Sequence, residues 1–578
     1  MKAMRLTAAA LLITLLAGCG GNGETAAPHA SNPADTSTML RAELDRVLAQ
    51  RGIELDSSGR PTRTVSSLPK RVWRHPQRFN NLLLLTAELS WGHYQQGDYD
   101  RNGEVNISDL TPVGVHLGKD TTSPDWAAAQ TADGDANGEI NIADVTPIGQ
   151  DFGASVGGYV IQVRDTPGAD YRDYGFVDFA DGVDNGSFRE FNFSAPAGSD
   201  ADDYRVSPVG RTREFDWHVY RLELPGTSQL EPAIAVRDGG LMLAAVDDDA
   251  GRLLFAGTNE LHPLAAADWV AHVVDAGGVQ ASQPGLAMIG GSPAIAYCGT
   301  SSSFAFEVRY ARALIVNPGA AADWQSHGIE GGLPLQSVRL LEKDGLPVLT
   351  VQNGSGGVYL GVSATATPSS DLDWADVNVS GAATLNLPEL ALVGNRVCVG
   401  SYQYGGAGEA YFSGARISHP VNASDFDSFP VWTVGIEAQR PSVLACGGYP
   451  AMLVPDLDSG ELDFLYSSEP QPTSAASWFV HSVATDSPDF INPDSVLLDG
   501  KPAASFGRSD INFAWGRRGI PDQPDDWLLQ QGMEEGIINF GIGATSIVVS
   551  DYLPVIAFTE YDNINGVRHV AIAVATEQ

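Results

Sequence analysis

Apolar and polar residues come in short alternating runs along most of this chain, and from Phe215 onward the runs recur about every fifty residues, a period in the range of propeller blades. Two markers keep the register. An acidic residue followed by an aromatic stands at Asp216-Trp217, Asp268-Trp269, Asp323-Trp324, Asp373-Trp374, Asp425-Phe426 and Asp526-Trp527, with Ser477-Trp478 in the remaining slot. A Gly-x-Pro step opens an apolar strand at Pro293 to Tyr297, Pro347 to Thr350, Pro450 to Leu453 and Pro502 to Phe506, and a proline after Tyr552-Leu553 opens the one at Pro554 to Phe558. Leu241 to Ala245 and Val397 to Val399 fill the same slot without proline. The last unit runs to Gln578 without its own acidic-aromatic pair, and the first pair has no such strand ahead of it. Each end lacks what the other has. The pattern therefore predicts seven four-stranded blades over 211–578, closed by an N-terminal segment that supplies the last blade's outer strand and so leaves no open sheet edge. An open stack of β repeats would leave both half-units unexplained.

Ahead of the repeat, Leu40, Leu44, Val47 and Leu48 fall at helical spacing and Gly52 ends the run, predicting a helix over 36–52. Strands are predicted at Leu82 to Trp91, Gly158 to Val163, Phe188 to Phe193 and Tyr204 to Val206. The texts Leu-Ser-Trp91, Gly-Tyr159-Val and Tyr204-Arg-Val resemble the core strands of fibronectin type III sandwiches. That resemblance implies a small β-sandwich over 80–210, with Trp91 and Tyr159 in its core and an insertion at 96–154.

The insertion breaks the alternation. It reads Asp98-Tyr-Asp100-Arg-Asn102-Gly103-Glu104-Val-Asn106-Ile-Ser-Asp109, and then Asp133-Gly-Asp135-Ala-Asn137-Gly138-Glu139-Ile-Asn141-Ile-Ala-Asp144. A hard dication takes six or more oxygens at about 2.3–2.6 Å, and positions 1, 3, 5, 7, 9 and 12 of a twelve-residue loop can wrap them around one ion. In the first loop these are Asp98, Asp100, Asn102, the Glu104 main-chain carbonyl, Asn106 directly or through a water, and Asp109. In the second they are Asp133, Asp135, Asn137, the Glu139 carbonyl, Asn141 and Asp144. Gly103 and Gly138 sit at position 6, where the chain turns sharply. A short helix with matching text follows each loop, Leu110 to Gly118 and Val145 to Gly153. Two calcium ions are expected.

This pair resembles the type I dockerin module, in which two calcium-loop and helix segments pack as near-symmetric halves; position 12 is Asp in both copies, where EF-hands use Glu. The resemblance implies a link to polysaccharide breakdown and a cohesin-like protein partner. Ile107-Ser108 and Ile142-Ala143 stand where cellulosomal dockerins often carry Ser-Thr.

Composition adds an address and removes some partners. The formal charge of -37 on 578 residues disfavours nucleic acid or anionic lipid against the folded part. A basic start (Lys2, Arg5), an apolar run from Leu6 to Leu16 and then Leu16-Ala-Gly-Cys19 read as a signal peptide over 1–19. Leu-Ala-Gly-Cys resembles a bacterial lipobox, which implies acylation of Cys19 and membrane contact through that lipid alone. Gly20 after the cysteine fits the outer membrane or cell surface of a Gram-negative host. Residues 20–35 are expected to form a flexible tether. Cys298, Cys398 and Cys446 lie in separate apolar runs and are expected as buried small hydrophobes.

A search for catalytic chemistry finds turns and architecture. Asp247-Asp248-Asp249 and Asp456-Leu-Asp458-Ser-Gly460 fall where hairpin turns are expected. The recurring tryptophans are expected to pack between adjacent blades, and His272, His327 and His481, three residues after their aromatics, recur at one outer-strand slot and so do not make a catalytic constellation. No arginine cluster of the sialidase kind, nucleophile elbow or zinc motif is recognisable. The sequence thus implies a mainly β, calcium-binding surface lipoprotein acting as a non-catalytic binding or assembly module, its partner a cohesin-like protein or a glycan. A sialidase-like glycoside hydrolase with its site on the propeller face is the alternative.

Overall fold

The structure is a computed structural model. It describes residues 33–50, 54–55, 61–63, 83–85, 88–93, 96–164, 171–184, 189–194 and 204–576, the last apart from 211, 213, 281, 301–305, 332–334, 354–355, 380–383, 404–407, 434–439, 457–458, 486–490, 508–509, 532–541 and 563–565. The expected signal peptide, the lipidation site Cys19 and nearly all of the tether lie outside the described residues. No helix among those described is long and apolar enough to cross a membrane. The chain divides into two compact units. One takes the described residues up to Arg211 except Asp173–Phe176; the other takes Asp173–Phe176 and Thr212 onward.

In the first unit, strands Leu83–Leu85, Glu88–Gly92, Arg189–Ser194 and Val183–Asp184 form one sheet in that spatial order, and Gly158–Val163 and Tyr204–Val209 pair in another. Trp91 and Phe191 stack on the first sheet with ring centroids 5.9 Å apart, and Tyr159 of the second meets them edge-on and tilted at 5.5 and 4.8 Å. Trp91 and Tyr159 are core residues, 2% and 1% exposed. The run expected as one strand from Leu82 to Trp91 is instead a hairpin, Leu83 facing Ser90 and Leu85 facing Glu88. Leu82 to Leu85 is apolar at every position and carries no period to show where the chain doubles back.

Between Glu88–Gly92 and Gly158–Val163 lie the short helices Leu110–His116, Trp126–Ala129 and Val145–Gln150. Their core of Val105, Leu110, Val113, Ile140, Val145, Ile148 and Phe152 is shared with the helix Pro33–Gln50, which lays Leu40, Leu44 and Leu48 onto it as one i, i+4, i+8 stripe.

The second unit is a ring of seven four-stranded antiparallel sheets. Blades 1 to 6 are consecutive meanders whose innermost strands are Gln229–Arg237, Gly285–Ile289, Leu335–Lys343, Leu385–Val393, Ser442–Cys446 and Ile491–Leu498. Blade 7 holds Ile542–Ser550, Leu553–Asp562 and Val567–Thr576, and its outer strand is Asp216–Arg221, paired from Asp216↔Thr576 to Arg221↔Ala571. Each innermost strand packs against the next, and that of blade 7 packs back on that of blade 1. Closure between the two ends of the repeat is what the sequence markers required.

The acidic-aromatic markers are blade joints. Asp268 accepts the Leu264 and Ala265 amides at 2.9 Å, fixing the turn that aims Trp269 at the neighbouring sheet, and Asp323, Asp373 and Asp425 do the same. The indole then meets the residue three past the previous blade's aromatic. Trp269 donates to the Tyr220 hydroxyl, Trp324 to His272 Nε2 and Trp527 to His481 Nε2, each at 2.9 Å, and Trp217 to Gln530 Oε1 at 3.3 Å. His327 and Trp374 occupy the same slots without that bond.

An accepting Nε2 requires a neutral ring, and burial pushes His272 and His481 below the usual imidazole range, with Asp323 and with Asp526 and Asp522 pulling partly the other way. A base with a depressed folded pKa contributes stability that is complete above the unfolded value, about 6.5, and lost as pH falls through the folded one. Melting temperature is therefore expected to fall more steeply between pH 7 and 5 in the native chain than in a His272→Gln, His481→Gln double variant, since glutamine, like Gln530, accepts without titrating. Parallel curves would show that these joints do not titrate.

Candidate metal centre

Each twelve-residue loop folds around its own acids, and the two do so alike. Asp98 accepts the amides of Asn102 and Gly103 at 3.1 and 2.8 Å; Asp133 accepts those of Asn137 and Gly138 at 3.1 and 2.9 Å. Asp109 takes the Tyr99, Asp100 and Asn106 amides at 2.7, 3.1 and 2.8 Å, and Asp144 takes those of Gly134, Asp135 and Asn141 at 2.7, 3.3 and 2.7 Å. Gly103 and Gly138 have φ of 81° and 83°, the left-handed region that the sharp turn needs. Val105 pairs with the backbone of Gly153 and Ala154, and Ile140 with that of Gly118 and Lys119, so each loop is tied to the segment after the other loop's helix.

The result is two triads, Asp98, Asp100, Asp109 and Asp133, Asp135, Asp144, whose carboxylate oxygens lie within 4.8 Å of one another. Asp109 and Asp144 are fully buried. Among the described residues no lysine or arginine pairs with any of the six. Burial pushes the Asp109 carboxyl up to about 8, with the amides of Asn106 and Asp100 opposing and the charges of Asp100 and Asp98 adding; burial likewise raises Asp100 and Asp144. Three carboxylates in so small a space repel unless a cation stands between them. The donor set is all oxygen, which suits a hard dication and not zinc or copper. Of the remaining expected ligands, Asn102 and Asn137 turn Oδ1 to the Glu104 and Glu139 amides at 2.8 Å, and Asn106 and Asn141 cap the following turns through Ser108 and Ala143.

A second constellation, not read from the sequence, lies on the axis of the ring. Arg339 in blade 3 hydrogen-bonds Glu389 in blade 4 and the Gln283 side chain before blade 2, the latter at 2.8 Å. Arg440, before blade 5, pairs with Glu389 at 2.7 Å and also donates to Gln283. Blades 2 and 5 are not neighbours, so that last contact has to cross the centre. Glu231 in blade 1 and Asp494 in blade 6 lie within the field of Arg339. Burial pushes Glu389 up to about 7, the Arg339 charge opposing and Asp494 adding, and burial also raises Glu231 and Asp494. Glu231, Leu387 and Asn492, each directly before a proline in a strand bulge, have φ of 47°, 52° and 39°. Non-glycine residues held there cost roughly 1–3 kcal/mol each and cluster at functional centres.

The other candidates settle as architecture. Asp247 ends a strand and pairs with Arg252, Asp248 and Asp249 form the turn, and Asp458 lies outside the described residues. Cys298, Cys398 and Cys446 are buried free thiols, the first two pushed up to about 11 and 12 by burial.

No family model matches the chain, and no curated protein matches it. Among solved structures it is similar to the BP39L lectin of Burkholderia pseudomallei, at 13% identity over 61% of this chain and 98% of the lectin, with a TM-score of 0.42. It is similar to Trypanosoma rangeli sialidase at 10% identity over 63% of this chain and 58% of that one, with a TM-score of 0.35. An α-L-arabinofuranosidase from Lactobacillus brevis is similar at 11% identity over 60% and 90%, with a TM-score of 0.28.

Proposed function

We propose that this chain is a calcium-binding, surface-anchored binding protein, in which 96–154 holds two calcium ions and the ring offers a face to a glycan. The observation that carries the metal is the pair of matched triads, each with an all-oxygen donor set and no lysine or arginine partner among the described residues. Asp98, Asp100 and Asp109 would hold one ion and Asp133, Asp135 and Asp144 the other, with Asn102, Asn137, the Glu104 and Glu139 carbonyls, Asn106 and Asn141 completing the oxygens. Calcium would neutralise the carboxylates and so brace the core they surround. The dockerin resemblance of the two loops is the ground for carbohydrate; a cohesin-like partner rests on the same resemblance. Acylated Cys19 would hold the chain at a membrane.

Titration calorimetry on the purified chain is expected to find two calcium ions, and Asp98→Ala and Asp133→Ala are each expected to remove one. Uptake of fewer than two by the native chain, or uptake unmoved by both variants, counts against the metal; a glycan array tests the partner.

The axial cluster favours a second reading, a glycoside hydrolase. Three carboxylates raised by burial beside two arginines, on locally strained backbone, have the composition of an acid-base centre. Turnover of an aryl glycoside panel that is lost in Glu389→Gln or Asp494→Asn would replace the non-catalytic reading.

A further inference from the structure

The two loops are alike in sequence but not in surroundings. Five residues before Asp98 stands His93, on the end of the strand Glu88–Gly92; five before Asp133 stands Ala128. His93 Nε2 lies 3.0 Å from Asp98 Oδ2, and its Nδ1 lies 2.6 Å from the Tyr159 hydroxyl. The His93 and Asp98 side chains are 2% and 0% exposed. A carboxylate only accepts, so Nε2 carries the hydrogen that goes to Asp98. Nδ1 bonds the Tyr159 hydroxyl, which burial keeps protonated. Phe179 closes on the imidazole edge-on at 4.9 Å, and Tyr159 itself sits among Trp91 and Phe191. Asp98 is therefore oriented by the aromatic core between the two sheets, while among the described residues Asp133 is held by its own loop's amides alone.

A second difference has the same sense. Ser108 donates to Asp100 Oδ2 at 2.6 Å, and Ala143 stands at the matching place in the other loop. Side chains that fix the orientation of a metal ligand from behind are worth about 10–100-fold in affinity. Orientation settled before binding also means less freedom lost on binding.

We infer that His93 is a positioning residue that makes the two cation sites unequal, the Asp98 loop binding first and more tightly, and that it couples that site's occupancy to the aromatic core through Tyr159. This rests on the calcium reading above. Calorimetry of the full chain with calcium chloride is expected to resolve a tighter and a weaker step. Asp133→Ala should leave the tighter one, and His93→Gln should weaken that step about 10–100-fold while leaving the weaker unchanged. Tyr159→Phe, which keeps the ring in place and removes only the hydroxyl, should weaken the same step less, so the test stands even if a His93 variant folds poorly. Amide exchange of Gly158–Val163 should slow on filling the tighter site in the native chain but not in His93→Gln.

Native chain that takes up no calcium would end the calcium reading itself. Native chain that takes up two ions with equal steps, or with steps unmoved by His93→Gln and Tyr159→Phe, or with both steps weakened alike, overturns the role of His93 and leaves that reading standing.

Discussion

Arg339→Met is expected to destabilise the ring by about 3–5 kcal/mol, the range for removing one member of a buried ion pair. The side chain fills similar space, so the loss comes from charge and hydrogen bonding and not from a cavity. Arg339 and Glu389 are 11% and 13% exposed, and Arg440, which meets the same carboxylate oxygen, is 6% exposed. Without Arg339, Glu389 keeps one arginine, and its neighbours Asp494 and Glu231 lose the positive charge that offsets them. Gln283 loses one of its two arginine donors. Pairing the change with Glu389→Gln should restore part of the loss, since the desolvated charge left behind is the larger cost. Denaturant unfolding of the native, single and double variants checks this. If Arg339→Met unfolds at the native midpoint, the cluster is solvated like a surface pair and does not hold the blades together.

That cluster also marks the limit of what could be read along the chain. The ring was legible because its devices are local: Asp323 caps the turn four residues on from Gly319, and Trp324 follows it directly. The role of the tryptophans followed from recurrence, because a residue repeated in every unit serves the contact that every unit makes. The loop acids were legible for the same reason, all ligands of one loop lying within twelve residues. The axial residues occur once each, and Arg440 and Gln283 meet across 157 residues of chain. Their faint trace is a polar residue before proline at the start of an inner strand, as in Glu231-Pro232, Gln283-Pro284, Arg440-Pro441 and Asn492-Pro493. His93 left no trace, since a lone histidine at a strand end has no pattern until Tyr159 is seen opposite it.

Stripping calcium with a chelator is expected to loosen 96–154 and the helix Pro33–Gln50 together while leaving the ring unchanged. An ion that binds only the folded state stabilises it by about 4 kcal/mol when present at a thousandfold over its dissociation constant, so its removal costs that much for each site. What remains is three carboxylates within 4.8 Å in each loop, one of each three fully buried, and these have to take up protons or turn outward. Turning outward breaks the amide bonds to Asp109 and Asp144 that hold the first and last residues of each loop together. Leu110 and Val145 follow those acids directly and belong to the core that also receives Leu40, Leu44 and Leu48, so the helix loses its seat when the loops open. The blades have no carboxylate triad of this kind among the described residues. Amide exchange with and without chelator should show protection lost across 96–154 and 33–50 and retained in the strands of the ring. Protection unchanged in the loops would mean that the amides alone keep the acids in place, and that no ion is needed to fold them.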